Sequence, residues 1–176
     1  MYREEVSPYP GMQPLIRDLI EAPGIRVGLV TRHISHDPVI TLARLFARHD
    51  LDGLDFLHCL PLREGKAPCY KAAREQFDIN PARACAVGDE HRDYEVALSA
   101  GIHPFIVSYG FESRARLTQK FVIPGEVISP DAETLCSRVR HALELPRACR
   151  GSISAAAGTA PGKCPHRPGS RSAPAR

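Results

Sequence analysis

Four short apolar runs, each followed by residues at helical spacing, constrain the fold of this chain more than any other feature. The first is IRVGLVT at residues 25–31, where Ile25, Val27, Leu29 and Val30 read as a buried strand; the others are DFLHCL at 55–60, Ala84 to Val87, and Pro104 to Val107. Parallel strands covered on both faces lose the polar alternation of half-exposed ones and read as such runs. Strands alternating with helices imply a layered α/β domain whose sheet is mostly parallel.

The helical stretches carry their own boundaries. Met12, Leu15, Ile16, Leu19 and Ile20 share one face, and Pro23-Gly24 ends the run. Asp37-Pro38 provides an N-cap with proline at the first helical position, ahead of Val39, Leu42, Leu45 and Phe46. A third helix carries Cys69, Ala72, Ala73 and Phe77 and breaks at Asp78-Ile79-Asn80-Pro81. The fourth runs through Tyr94, Val96, Ala97 and Leu98 to Gly101, a residue suited to a left-handed C-cap. Ser129 with Pro130 opens the last, which carries Leu135, Val139, Ala142 and Leu143. The expected organisation is an N-terminal remnant at 1–9, a core domain at 10–145, and a disordered basic tail at 146–176.

Charge placement excludes some functions. Of 23 basic residues, six lie in the tail with no acidic one, which leaves 17 basic against 20 acidic side chains in the body. A mildly acidic body is not a nucleic-acid surface. No stretch has the apolar length of a bilayer span, and acidic residues stand where a signal peptide starts with basic ones. The six cysteines, at 59, 69, 85, 136, 149 and 164, form no CxxC and no zinc-spaced cluster; Cys85 reads as a small buried hydrophobe. A reducing, cytoplasmic setting follows.

Ligands of open α/β sheets meet the carboxyl ends of the strands. At those ends lie Thr31, Lys66 at a helix start, Asp89 after Val87-Gly88, and Asp93 four residues on. Asp89 and Asp93 are able to face one hard cation such as magnesium, whose remaining ligands are water. Each residue also has a plain structural role open to it: Thr31 as a strand-end hydroxyl, Lys66 as a solvated charge with Lys71 as its competitor, and Asp89 or Asp93 as a helix cap beside Glu90. Arg32 and His33 follow Thr31 and are candidates to face a substrate; Arg92, beside His91, reads as a surface or helix pair.

The order Thr, Lys, Asp, Asp, in VGLVT, GKAPCYKAA and CAVGDEHRD, resembles the second, third and fourth motifs of the haloacid-dehalogenase-like hydrolase superfamily, and within it the phosphoglycolate-phosphatase-like members. EVALSAGIHPFIVSYGF is similar to the family's run from an alanine-rich helix to the next strand and its aromatic-glycine turn. The resemblance covers about residues 8 to 145 and implies a three-layer α/β/α, Rossmann-like fold. It also implies a magnesium-dependent phosphatase-type hydrolase of a small phosphorylated metabolite. In that reading Thr31 and Lys66 are catalytic, Thr31, Arg32 and Lys66 bind phosphate, Asp89 and Asp93 bind Mg2+, and Glu90 assists from behind the metal. Such catalysis is chiefly positioning and electrostatic stabilisation.

One family motif has no counterpart. The family's first motif is a strand followed by DxDxT, whose first aspartate is the nucleophile; MYREEVSPY holds no aspartate and no apolar strand, and no buried strand positions Glu4 or Glu5. The expectation is a chain truncated at its N-terminus, without the central first strand and the cap, with Mg2+ binding weak or absent and with negligible activity alone. A separately encoded N-terminal half is an implied partner. The alternative is a catalytically dead remnant that binds phosphate or a partner protein. In either case the strands ending at Thr31 and Gly88 must pair directly or leave backbone groups unpaired.

Overall fold

The computed structural model describes residues 7–32 and 38–145, so Asp37, His33 and the tail lie outside the described residues. Helix α1 spans Met12–Glu21, strand β1 Gly28–Arg32, α2 Pro38–Arg48, β2 Phe56–Leu60 and α3 Ala67–Gln76. Then follow β3 Cys85–Gly88, α4 His91–Ser99, β4 His103–Val107, β5 Ile128–Ser129 and α5 Ala132–Ala142. This is an α/β fold in which every strand pairing is parallel and helices flank the strands.

The strands form two hydrogen-bonded groups, β1-β2 and β3-β4-β5. Thr31 lies opposite Cys59 in the first, and Gly88 opposite Ile106 in the second. Among the described residues β1 and β3 are not paired, so of the two arrangements expected for these strands the unpaired one is found. Val87 on β3 is 45% exposed, unusual for an apolar strand residue in a layered fold. The carboxyl ends of the two groups are nonetheless joined, because the Arg32 guanidinium at the end of β1 donates to Glu90, just past β3, at 2.7 Å.

Side-chain alternation along β4 builds two cores. Phe105 and Val107 point to one face and pack with Leu15 of α1 and with Leu135 and Val139 of α5. Ile106 points to the other and packs with Leu117, Ile123 and Ile128, with Tyr94 of α4 against them. Period-two alternation thus places one helical layer on each side of this sheet. On the other sheet, the Phe56 ring covers Gly28 and lies 5.9 Å from that of Phe77; a side chain on Gly28 would collide with it.

Several local expectations need correction. The last helix is capped by Asp131, whose carboxylate accepts from Thr134 N at 2.7 Å, and not by Ser129. Ser129 instead ends β5, where its hydroxyl accepts from Arg138 at 3.3 Å. A π-helical turn at Arg116–Lys120 was not expected either. Gly101 does adopt a positive φ of 68°, as its place after α4 requires. No helix among the described residues is long and apolar enough to cross a membrane.

Candidate functional site

The carboxyl ends of β1 and β3 and the start of α3 bring Arg32, Lys66, Glu90 and Asp93 into one charged cluster. Lys66, the N-cap residue of α3, places its Nζ 2.6 Å from Asp93 Oδ1. Asp93 is 4% exposed, and its other oxygen accepts from the backbone N–H groups of Asp89 and Glu90, each at 3.2 Å. A buried carboxylate held by one ammonium and two amides is the arrangement that lets such a charge persist away from water. Gly88 has a steric reason: a side chain there would collide with the Asp93 carboxylate. Tyr70 of α3 lies near the same charge; burial, then Asp93, pushes its hydroxyl up to about 12.

Asp89 is held differently. Its Oδ2 accepts from Phe111 N at 2.8 Å, and its carbonyl accepts from Glu112 N at 3.1 Å. Gly110 leaves room for this approach, since a side chain at Gly110 would strike the Asp89 carboxylate. Glu112, 2% exposed, receives His91 N at 2.5 Å, His91 Nδ1 at 3.0 Å and Arg116 Nε at 2.9 Å. Burial pushes the Glu112 carboxyl up, but the bonds from Arg116 and His91 prevail and hold it below its ordinary value. The His91 ring stacks on Phe121 at 3.6 Å, which fixes the start of α4 from outside. The turn after β4 therefore clamps the acidic loop after β3.

Arg32, Lys66 and Asp93 line a cavity of about 470 Å³ together with Arg63 and Arg92. Thr31 and Asp89 adjoin this wall in sequence without being part of it. Lys71 is not a competitor for Lys66, because it lies exposed on α3 and pairs with Glu75 at 3.8 Å. Asp50-Leu51-Asp52 has the spacing of a carboxylate pair, but it precedes β2 at the amino edge of the sheet, where Asp50 pairs with Arg17. Glu112 and Tyr70 escape sequence reasoning; the aromatic-glycine turn before Glu112 was the available signal.

No group of three or more His, Cys, Asp or Glu side chains placed to hold a metal ion occurs among the described residues. Asp93 already uses both oxygens, on Lys66 and on the Asp89 and Glu90 amides, while Asp89 Oδ1 has no protein partner among the described residues. Magnesium accepts one or two carboxylates when water and substrate phosphate complete its shell. The chemistry of the Asp89 carboxylate, with one oxygen left open, fits a part of such a shell.

A phosphoglycolate phosphatase of Nitrosospira multiformis (strain ATCC 25196 / NCIMB 11849 / C 71) is 33% identical over 106 residues, 58% of this chain and 45% of that protein. The chain thus spans less than half the length of the relative it matches. No solved structure matches it significantly. The family described as "Hydrolase: haloacid dehalogenase-like hydrolase" matches residues 1–101, which include β1, Lys66, Asp89 and Asp93. The chain belongs to the haloacid dehalogenase-like hydrolase family.

Proposed function

We propose that this site binds the phosphoryl group of a small phosphorylated metabolite together with magnesium, as the phosphate-handling half of a phosphatase-type hydrolase. The observation that carries the reading is the Lys66–Asp93 pair, with Arg32 tied to Glu90 beside it, at the carboxyl edge of the strands. Thr31 and Arg32 take phosphoryl oxygens in this reading, and Lys66 offsets their charge. Asp89 and Asp93 would hold the ion, with Glu90 behind them; bound there, the ion supplies positive charge to the phosphoryl oxygens. The printed name of the curated relative, a phosphatase, supports the reaction class. Free Cys59, Cys69, Cys85 and Cys136 support a reducing, cytoplasmic setting.

The 176 residues contain no apolar strand followed by DxDxT, so a covalent aspartyl-phosphate has no nucleophile within them. Purified alone, this chain is expected to hydrolyse a generic phosphate ester in magnesium at background rate while still binding inorganic phosphate. Amide chemical shifts around Lys66 and Asp93 should move on phosphate addition and cease to move in Lys66→Met. Turnover that vanishes in Asp89→Asn would refute the inactivity, and no shift at all would refute the phosphate site.

The edges of β1 and β3, unpaired among the described residues, favour a second reading, in which the chain serves as a partner-binding protein whose partner contributes a strand there. Unpaired strand edges are templates for β-augmentation. An expected partner is a separately encoded polypeptide bearing an apolar strand. Co-expression with one carrying DxDxT should restore magnesium-dependent hydrolysis, and a stable but inactive complex would favour the partner-binding role alone.

A further inference from the structure

Asp93 and Glu112 are the two buried carboxylates among the described residues. Asp93 meets Lys66 from another helix, whereas Glu112 pairs with Arg116 of its own turn and directs the rest of its bonding to His91. Taking a charge out of water is costly, and an apolar side chain of similar volume often stabilises a fold at least as well. What a carboxylate supplies in such a place, and an apolar group does not, is directed acceptance from particular N–H groups.

Those groups lie on the loop that carries Asp89. The Glu112 carboxylate accepts from His91 N at 2.5 Å and is hydrogen-bonded to His91 Nδ1 at 3.0 Å. In return the turn gives its own amides to Asp89: Glu112 N donates to the Asp89 carbonyl at 3.1 Å, and Phe111 N to Asp89 Oδ2 at 2.8 Å. Asp89 is thus gripped at backbone and side chain by two consecutive residues, and the Glu112 side chain closes the grip. The carboxylate presents one oxygen, Oδ1, in a fixed direction.

Glu112 is itself braced from behind. The π-helical turn Arg116–Lys120 belongs to a rare backbone form that is frequent at functional sites. It carries Arg116, whose Nε donates to Glu112 at 2.9 Å. It ends at Phe121, whose ring stacks on His91 at 3.6 Å and lies 5.3 Å from the Arg116 guanidinium.

We propose that Glu112 is a positioning residue for the divalent ion: by fastening the turn after β4 to the loop after β3, it holds the Asp89 carboxylate in the conformation that leaves Oδ1 open. The inference rests on the ion site proposed above and adds to it a residue that acts only through Asp89. Groups that orient a metal ligand are worth about tenfold to a hundredfold in affinity. Glu112 acts one link further out, through the Phe111 amide, so a loss of about tenfold is expected.

The test is NMR spectroscopy of the 176-residue chain and of Glu112→Ala, Glu112→Gln and Val139→Ala. Val139, buried in the core on α5, is the control for lost stability alone. Three-bond couplings give the Asp89 χ1 without metal, and titrated Mn2+ broadening of the amides of residues 88–93 gives the affinity. The wild type and Val139→Ala should keep one Asp89 rotamer and equal affinity. Glu112→Ala should average among rotamers and bind Mn2+ about tenfold more weakly. Glutamine keeps an oxygen for His91 N, so Glu112→Gln should fall between, and it carries the test where alanine at 112 fails to fold. Wild-type affinity or a single Asp89 rotamer in folded Glu112→Ala, or in Glu112→Gln in its stead, overturns the role of Glu112 and leaves the ion site standing. Weakening in Val139→Ala as large as in the Glu112 variant overturns it too, because stability alone then accounts for the effect. A wild-type chain that Mn2+ does not broaden overturns the ion site and the role of Glu112 together.

Discussion

Lys66 Nζ and Asp93 Oδ1 stand 2.6 Å apart, although 27 residues separate them and they belong to different helices. The pair joins the element after β2 to the element after β3, and so links the two strand groups where they share no backbone ladder. With Lys66 removed, a nearly buried carboxylate loses its only cation partner among the described residues. Lys66→Met is expected to destabilise the fold by about 3–5 kcal/mol, and Asp93→Asn in the same background should recover much of that loss. Urea unfolding of both single variants and the double variant measures the coupling. A coupling energy below about 0.5 kcal/mol would show that the pair does not hold the two halves together.

Gly110 is the close-approach point between the turn after β4 and the acidic loop. Gly110→Ala would press a methyl group into the Asp89 carboxylate, a backbone-anchored collision that rotation of the new side chain cannot relieve. A cost of about 1–3 kcal/mol is expected, with loss of the hydrogen bond from Phe111 N to Asp89. The thermal midpoint reports the cost, and hydrogen exchange of the Phe111 amide reports the broken bond. Wild-type protection at that amide would place the strain elsewhere.

Glu112 sets a pH dependence whose sign follows from its hydrogen bonds. Unfolded, its carboxyl titrates near the ordinary 4.5; folded, Arg116 and His91 hold it lower against the opposing effect of burial. As pH falls, the unfolded chain therefore takes up this proton first. The stabilisation is complete above about 4.5 and is lost as pH drops through the lower folded value. The urea midpoint measured between about pH 3 and pH 6 should fall less steeply toward acid in Glu112→Gln than in the wild type. Parallel curves for the two proteins would remove Glu112 from the acid response.

Short-range chemistry made much of this fold legible. Ala84 to Val87 followed by Gly88 reads as a strand because its apolar run and its stop are adjacent in sequence, and β3 at Cys85–Gly88 agrees within a residue, though Val87 is 45% exposed. Asp93 was legible as a charged group at a helix start, but sequence left open whether it caps or meets other charge; it does both. Ser129-Pro130 misled because that dipeptide is a common helix opening, whereas Asp131 two residues later accepts the first-turn amide. Glu112 was illegible for a different reason. Its value lies in His91, 21 residues earlier, and no local pattern announces a carboxylate folded back under another helix. Strand β5, two residues long, is too short to leave a pattern at all.

Cys85, read as a small buried hydrophobe, is partly buried against the core and gives a chemical prediction. Burial pushes its thiol up to about 11, and it packs against the core formed by Phe105 and Leu135. At about pH 8 only on the order of one thiol in a thousand is then thiolate, the reactive form. Site-resolved iodoacetamide labelling should find Cys85 slower than free cysteine by on the order of a hundredfold. Labelling at the free-cysteine rate would mean that this core opens readily.

Asp89 and Asp93 share a motif but carry unequal structural loads, and this separates stability from ion binding. Asparagine at 93 still offers an oxygen to the Asp89 and Glu90 amides, yet it deprives Lys66 of its counter-charge in a place where water is scarce. Asn at 89 likewise keeps an acceptor for Phe111 N and strands no cation. Asp93→Asn should therefore cost about 1–3 kcal/mol, while Asp89→Asn should stay within about 0.5 kcal/mol of wild type. Divalent-ion binding should respond differently, since the free oxygen of the pair belongs to Asp89. Paramagnetic broadening by Mn2+ of the amide signals of residues 88–93 should be lost in both variants, including the stable one. Broadening that persists in a fully folded Asp89→Asn protein would mean that the ion, if it binds this chain, does so without the carboxylate best placed to receive it.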